Sequence, residues 1–132
     1  MNQIDAVVTG IEYSDAITIV SFEAANQALS MVALELDERL AIGSSVTLGV
    51  KATNISIATE PIGLLSISNQ LNVTIDDIKS GELLSSIKFT FAGSLIESIV
   101  SRSSADRMDL GADREIIALI KASELSILEI NL

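Results

Sequence analysis

The chain has 132 residues, enough for one ordinary domain or two very small ones. Its formal net charge is −10, from 18 acidic and 8 basic residues. Such a surface repels nucleic acid and anionic membranes over a Debye length of about 8 Å. Cysteine and histidine are both absent, which excludes disulfides, thiolate metal sites, histidine general bases and ordinary zinc or copper centres.

Hydrophobic residues make up 48% of the chain and aromatics only 3%, so the core is expected to be aliphatic. The mean hydropathy is +0.50, yet no apolar stretch approaches the ~18 residues a membrane helix needs. The excess apolar surface is therefore expected to pack against copies of the same chain. Met1-Asn2-Gln3-Ile4-Asp5 shows no cationic region followed by an apolar one. That reads as no export signal and a cytoplasmic location.

In chain order, the first strong strand pattern is residues 16–22, after Asp15 and before the turn pair Ala25-Asn26. A helical turn is expected over residues 37–42. The aliphatic run around Val50 follows, and then a linker holding Pro61, the only proline, and Gly63. Residues 84–91 form a second β-branched and aliphatic strand between Gly81 and the Ala92-Gly93 turn. Residues 103–108 read as one or two helical turns, with a serine cap, Asp106 near the positive end of the dipole and Gly111 closing the segment.

The chain also repeats itself. Asn2-Gln3-Ile4 returns 67 residues later as Asn69-Gln70-Leu71. Val50-Lys51-Ala52-Thr53-Asn54-Ile55-Ser56-Ile57 returns 70 residues later as Ile120-Lys121-Ala122-Ser123-Glu124-Leu125-Ser126-Ile127. Between these, Arg39-Leu40-Ala41-Ile42-Gly43 aligns with Arg107-Met108-Asp109-Leu110-Gly111, and the drift in offset suggests short insertions in hairpin loops. The expected organisation is a first domain over residues 1–60, a linker over 61–65 and a second domain over 66–132. The fold class is mainly β: two tandem small OB-like β-barrel domains, each of about five strands plus one short helix. Halves this small bury too little core separately and should pack together.

Lys51 and Lys121 stand out because each sits inside an apolar run, Leu48-Gly49-Val50-Lys51-Ala52 or Ala118-Leu119-Ile120-Lys121-Ala122, at the same repeat position. Burying such a charge is costly unless it is matched, and the structural alternative is a lysine leaving one strand face or guarding an edge. A second set, Ser66, Ser68, Ser101, Ser103 and Ser104, gathers hydroxyls around a strand start and a helix start. Together with unpaired N–H groups these suit a fully ionised tetrahedral oxyanion; helix capping and turn chemistry would explain the same serines. Asp76-Asp77 read as solvated surface, since adjacent strand residues face opposite ways, and Asp37-Glu38 as dipole-favoured surface charge at a helix start. No phosphate loop, carboxylate metal loop or nucleophile elbow is present, and no catalytic role is expected.

The opening Ser66-Ile67-Ser68-Asn69-Gln70-Leu71 and the closing Ile120-Lys121-Ala122-Ser123-Glu124-Leu125 resemble the signatures of molbindin, or Mop/TOBE-type, domains in their tandem form. Those signatures are Ser-Ala-Arg-Asn-Gln-Leu and aliphatic-Lys-(Ala/Ser)-(Thr/Ser)-x-Val. The resemblance implies an intracellular protein that stores or buffers molybdate or tungstate and assembles as a symmetric homo-oligomer, a trimer being preferred. It further implies an oxyanion site drawn from Ser66, Ser68, Asn69, Ser101, Ser104 and Lys121, with Lys51 as the first-half counterpart. Ser68 stands where the family carries arginine, which removes a forked, always-charged donor. In the first half, Met1 takes the arginine position, and Ala33 and Leu36 take those of Ser101 and Ser104. An oligomeric interaction or regulatory module that kept the fold and lost the anion stays open as the alternative.

Overall fold

The computed structural model describes residues 1–131. In chain order, the first half contributes β1 (Asn2–Ser14), β2 (Ile17–Ala24), β3 (Gln27–Ala33), β4 (Ser45–Val50) and the short β5 (Ser56–Ala58). The second contributes β6 (Asn69–Ser80), β7 (Leu84–Phe91), β8 (Ser94–Ser101), β9 (Glu115–Ile120) and β10 (Ser126–Asn131). A helix, α1 (Arg102–Arg107), lies between β8 and β9, and single 3-10 turns (Ala52–Asn54 and Ala122–Glu124) precede β5 and β10. The ten strands form two antiparallel five-stranded sheets, the architecture of two OB-like barrels.

Alternation sets which faces are buried. In β1, Ile4, Ala6 and Val8 point inward while Gln3, Asp5 and Val7 point out, and β6 repeats this with Leu71, Val73 and Ile75. Each long strand is bent by a bulge, at Thr9 opposite β2 and at Asp76 opposite β7. One strand can thereby pair with β4 or β9 at its start and with β2 or β7 at its end. The Ala25-Asn26 and Ala92-Gly93 loops have positive φ at both residues (49° and 61°, 52° and 78°). They are two-residue hairpin turns of the kind whose twist matches the flanking strands.

The closing strands are exchanged between the halves. The sheet orders are β10-β4-β1-β2-β3 and β5-β9-β6-β7-β8. Strand β10, from the second half, pairs with β4 of the first, with Ser126 opposite Gly49. Strand β5, from the first half, pairs with β9, with Ser56 opposite Leu119. Residues 1–60 and 66–132 are thus units of repetition in the sequence, while each sheet is built across them. One continuous core unites the two, with Phe22, Leu48 and Ile55 from one half packed in a single cluster with Leu71, Phe89 and Ile120 from the other.

The helix expected at residues 37–42 does not form; turns take its place. Two register markers give the reason. The hairpin loops at Ala25 and Ala92 are 67 residues apart. The loop N–H groups of Gly43 and Asp113, which donate at 2.8 Å to the Val8 and Ile75 carbonyls, are 70 apart. The three-residue difference therefore lies wholly in the segment before β4 and β9, not in scattered hairpin loops. In the second half those extra residues make room for α1. The first half instead closes a tight turn, in which Asp37 Oδ1 accepts from the Arg39 N–H at 2.9 Å and the Asp37 carbonyl accepts from Leu40 N–H at 3.0 Å. The same markers pair Gly43 with Asp113 rather than with Gly111.

Candidate functional site

The two repeated lysines occupy equivalent corners. Asn69 opens β6 opposite Ile120 of β9, so Ser68 and Lys121 leave the ladder together. Asn2 opens β1 opposite Val50 of β4, which puts Met1 and Lys51 at the matching corner. Both lysines are exposed, with extended backbone (φ −71° and −63°), and each leads into a 3-10 turn. The apolar runs end one residue before them, at Val50 and Ile120, so neither ammonium group is buried. Through the strand exchange, the turn after Lys121 packs on β3 and the turn after Lys51 packs on β8. The two turns meet where Asn54 Nδ2 donates to Glu124 Oε2 at 2.8 Å, near a pseudo-twofold axis relating the halves.

Asn69 is wholly buried, and its amide is committed to backbone: Oδ1 accepts from the Ser30 N–H at 2.7 Å and Nδ2 donates to the Ser30 carbonyl at 2.9 Å. Ser66 and Ser68 are exposed just ahead of it.

Ser101 and Ser104 lie at the far end of β8. Ser101 caps α1, its Oγ accepting from the Ser104 N–H at 3.1 Å and lying 2.9 Å from Ser104 Oγ and 3.2 Å from Ser103 Oγ. Sequence reasoning passed over Arg107, which donates through Nη2 to Ser104 Oγ at 3.3 Å and so adds a guanidinium to the serine cluster. Its spacing of three from Ser104 on a short helix was the available signal. Arg102 is engaged elsewhere, with Asp106 and the Gly81 carbonyl. Arg114 ties down the end of α1, donating to the carbonyls of Met108 and Asp109 at 2.6 and 2.7 Å.

Within one chain, then, the structure groups Ser68, Asn69 and Lys121 at one corner, with Ser66 two residues ahead of Ser68, and Ser101, Ser103, Ser104 and Arg107 around α1. No hydrogen bond among the described residues joins the two groups. The β-hairpin register places Leu34, not Ala33, at the position of Ser101, and the first-half turn that replaces α1 carries Asp37 and Arg39. Asp37 is held well below the usual carboxylate range, at about 2, chiefly by its side-chain and backbone hydrogen bonds to Arg39. The guanidinium meets both carboxylate oxygens, with Nη2 at 2.8 Å from Oδ2 and Nε at 3.1 Å from Oδ1. Where the second half offers neutral hydroxyls beside an arginine, the first half carries its own carboxylate on the arginine.

The fold and its corners define a class: a pair of OB-like barrels, joined by strand exchange, with hydroxyl and cationic donors set at the strand ends. Residues 65–127, within the second half of the chain, match the profile of the TOBE domain. The whole chain resembles a crystal structure of the cytoplasmic molybdate-binding protein ModG with molybdate bound, at 24% sequence identity and a TM-score of 0.87. The likeness covers 96% of this chain and 94% of that one. No curated protein matches this chain in sequence.

Proposed function

We propose that this chain is a non-catalytic oxyanion-binding protein that takes up molybdate or tungstate in the cytoplasm, for storage or homeostasis, and works as a homo-oligomer, preferably a trimer. The observation that carries the reading is one of coincidence. The TOBE match spans Ser66, Ser68, Asn69, Ser101, Ser104 and Lys121, on a chain whose full length shares the fold of a protein crystallised with molybdate. Hydroxyls and an ammonium group donate to every oxygen of a dianion without taking part in a reaction. The separation of the Lys121 corner from the α1 serines within one chain fits a site closed between adjoining chains.

Thermal melts against molybdate, tungstate, sulfate and phosphate test the reading. Ligand at 100 times Kd stabilises a protein by about 2.7 kcal/mol, a rise of several degrees at this size. Molybdate or tungstate is expected to raise the melting temperature and phosphate is not. Lys121→Met combined with Ser104→Ala should remove the rise while the chain still folds. A chain indifferent to all four anions would turn the reading toward an interaction or regulatory module. The features that favour that second reading are Ser68 at the arginine position and Asp37 in the first-half turn.

A further inference from the structure

Two asparagines play matching parts about the pseudo-twofold axis. Asn69 holds both backbone groups of Ser30 on β3, at 2.7 and 2.9 Å. Asn2 holds both backbone groups of Glu97 on β8, accepting from its N–H at 2.9 Å and donating to its carbonyl at 2.8 Å. β3 and β8 are edge strands, and each amide stands in for the neighbouring backbone that the edge lacks. Each therefore fixes the opening residue of one half against the outer hairpin of the other.

The two corners around these clamps differ in chemistry. Beside Asn69 stand Ser68 and Lys121, and the clamped residue is Ser30. Beside Asn2 stand Met1 and Lys51, and the clamped residue is Glu97, whose carboxylate accepts from Ser86 Oγ. One corner presents hydroxyls and a cation; the other keeps the cation but has Met1 where the first has Ser68, and Glu97 where the first has Ser30.

We propose that Asn69 is the positioning residue of the anion site: it fixes Ser68 and Lys121 in register against β3 and does not itself touch the anion. Its amide is wholly buried and turned toward Ser30, so its effect on the anion passes through the corner it holds. Asn2 does the same structural work at a corner where Met1 and Glu97 replace the hydroxyl residues Ser68 and Ser30. The inference rests on the oxyanion reading above and adds to it a division of labour between two otherwise equivalent residues.

The equivalence supplies the control. Full-length Asn69→Ala and Asn2→Ala are compared with the wild-type chain, by melting without ligand and by calorimetric titration with sodium molybdate. Both variants are expected to melt several degrees lower. Affinity for molybdate should fall at least tenfold in Asn69→Ala and stay within twofold in Asn2→Ala. Equal losses in the two, or unchanged affinity in a folded Asn69→Ala, overturn the proposal. If Asn69→Ala does not fold, hydrogen exchange on the wild-type chain decides. The Ser30 N–H should gain protection with molybdate while the Glu97 N–H does not, and equal changes, or none at Ser30, overturn it. A wild-type chain that binds no molybdate overturns the oxyanion reading itself, a result distinct from binding that is indifferent to Asn69.

Discussion

Ser98 Oγ donates a 2.6 Å hydrogen bond to the carbonyl of Ile55, 43 residues away in the other half. Both residues are buried, and the bond ties β8 to the segment between the Lys51 corner and the exchanged strand β5. The equivalent first-half position holds Met31, so the tie exists once. Ser98→Ala leaves a buried carbonyl without this donor, which costs about 1–3 kcal/mol. The expected result is a melting temperature lower by several degrees by differential scanning calorimetry. An unchanged melt would show that the Ile55 carbonyl finds another donor.

Gly49 makes room for the other exchanged strand. A Cβ at this position would lie 2.7–2.8 Å from three carbons of the Leu128 side chain. Leu128 sits at the bulge where β10 lies on β4. Gly49→Ala therefore forces Leu128 aside, and because that side chain is flexible and partly exposed the cost stays below the roughly 1–3 kcal/mol of core overpacking. Gly49→Ala should lower the denaturant midpoint, and Leu128→Ala in the same chain should restore part of the loss. Additive losses in the double variant would mean that the two positions do not meet.

Much of the fold could be read from the residues, because it was written in local pattern. The repeat, the alternating strands and the Ala25-Asn26 and Ala92-Gly93 turns all rest on neighbours in sequence. The strand exchange does not. Val50-Lys51-Ala52-Thr53 and Ile120-Lys121-Ala122-Ser123 are near copies, and β5 and β10 are similar short aliphatic strands, so nothing local dictates which sheet each joins. The missing first-half helix was hidden for a related reason: the three-residue shortfall was spread over hairpin loops when it belongs to one loop. The lysines were visible as a repeated pair, but a run read as continuous placed them inside when the strands end just before them. Asn69 was found by motif. Its bond to Ser30 joins residues 39 apart, a distance that only the folded chain closes.

The Asp37–Arg39 pair gives the first-half turn a pH signature. The hydrogen bonds from Arg39 hold the Asp37 carboxyl at about 2, below the ordinary aspartate range. A depressed carboxyl contributes its stabilisation fully above the unfolded value, and loses it as pH falls through the folded one. Any contribution of the pair is thus complete at neutral pH and fades between roughly pH 4 and 2. Because both side chains are exposed, salt should weaken it. Carbon-detected NMR of the Asp37 carboxyl should show a midpoint near 2 at low salt. The midpoint should rise toward the ordinary range in Arg39→Ala or in molar salt. An ordinary midpoint in the unaltered chain would show that the pair does not persist in solution.

Lys51 and Lys121 carry the same charge at equivalent corners, yet they should not count equally toward an oxyanion. Lys121 stands beside Ser68 and across from the strand that holds Ser30, whereas Lys51 stands beside Met1 and the strand that holds Glu97. Both side chains are exposed and make no hydrogen bond among the described residues, so replacing either with methionine should leave the melting temperature nearly unchanged. A charge-assisted hydrogen bond contributes about 1.5–3 kcal/mol, equivalent to roughly 10- to 100-fold in affinity. Calorimetric titration is expected to show a loss of that size for molybdate in Lys121→Met and little change in Lys51→Met. Equal losses would assign anion binding to both corners and remove the distinction drawn from Met1 and Glu97. A larger loss in Lys51→Met would move the site to the first-half corner, on the side of β8, the strand that ends at Ser101.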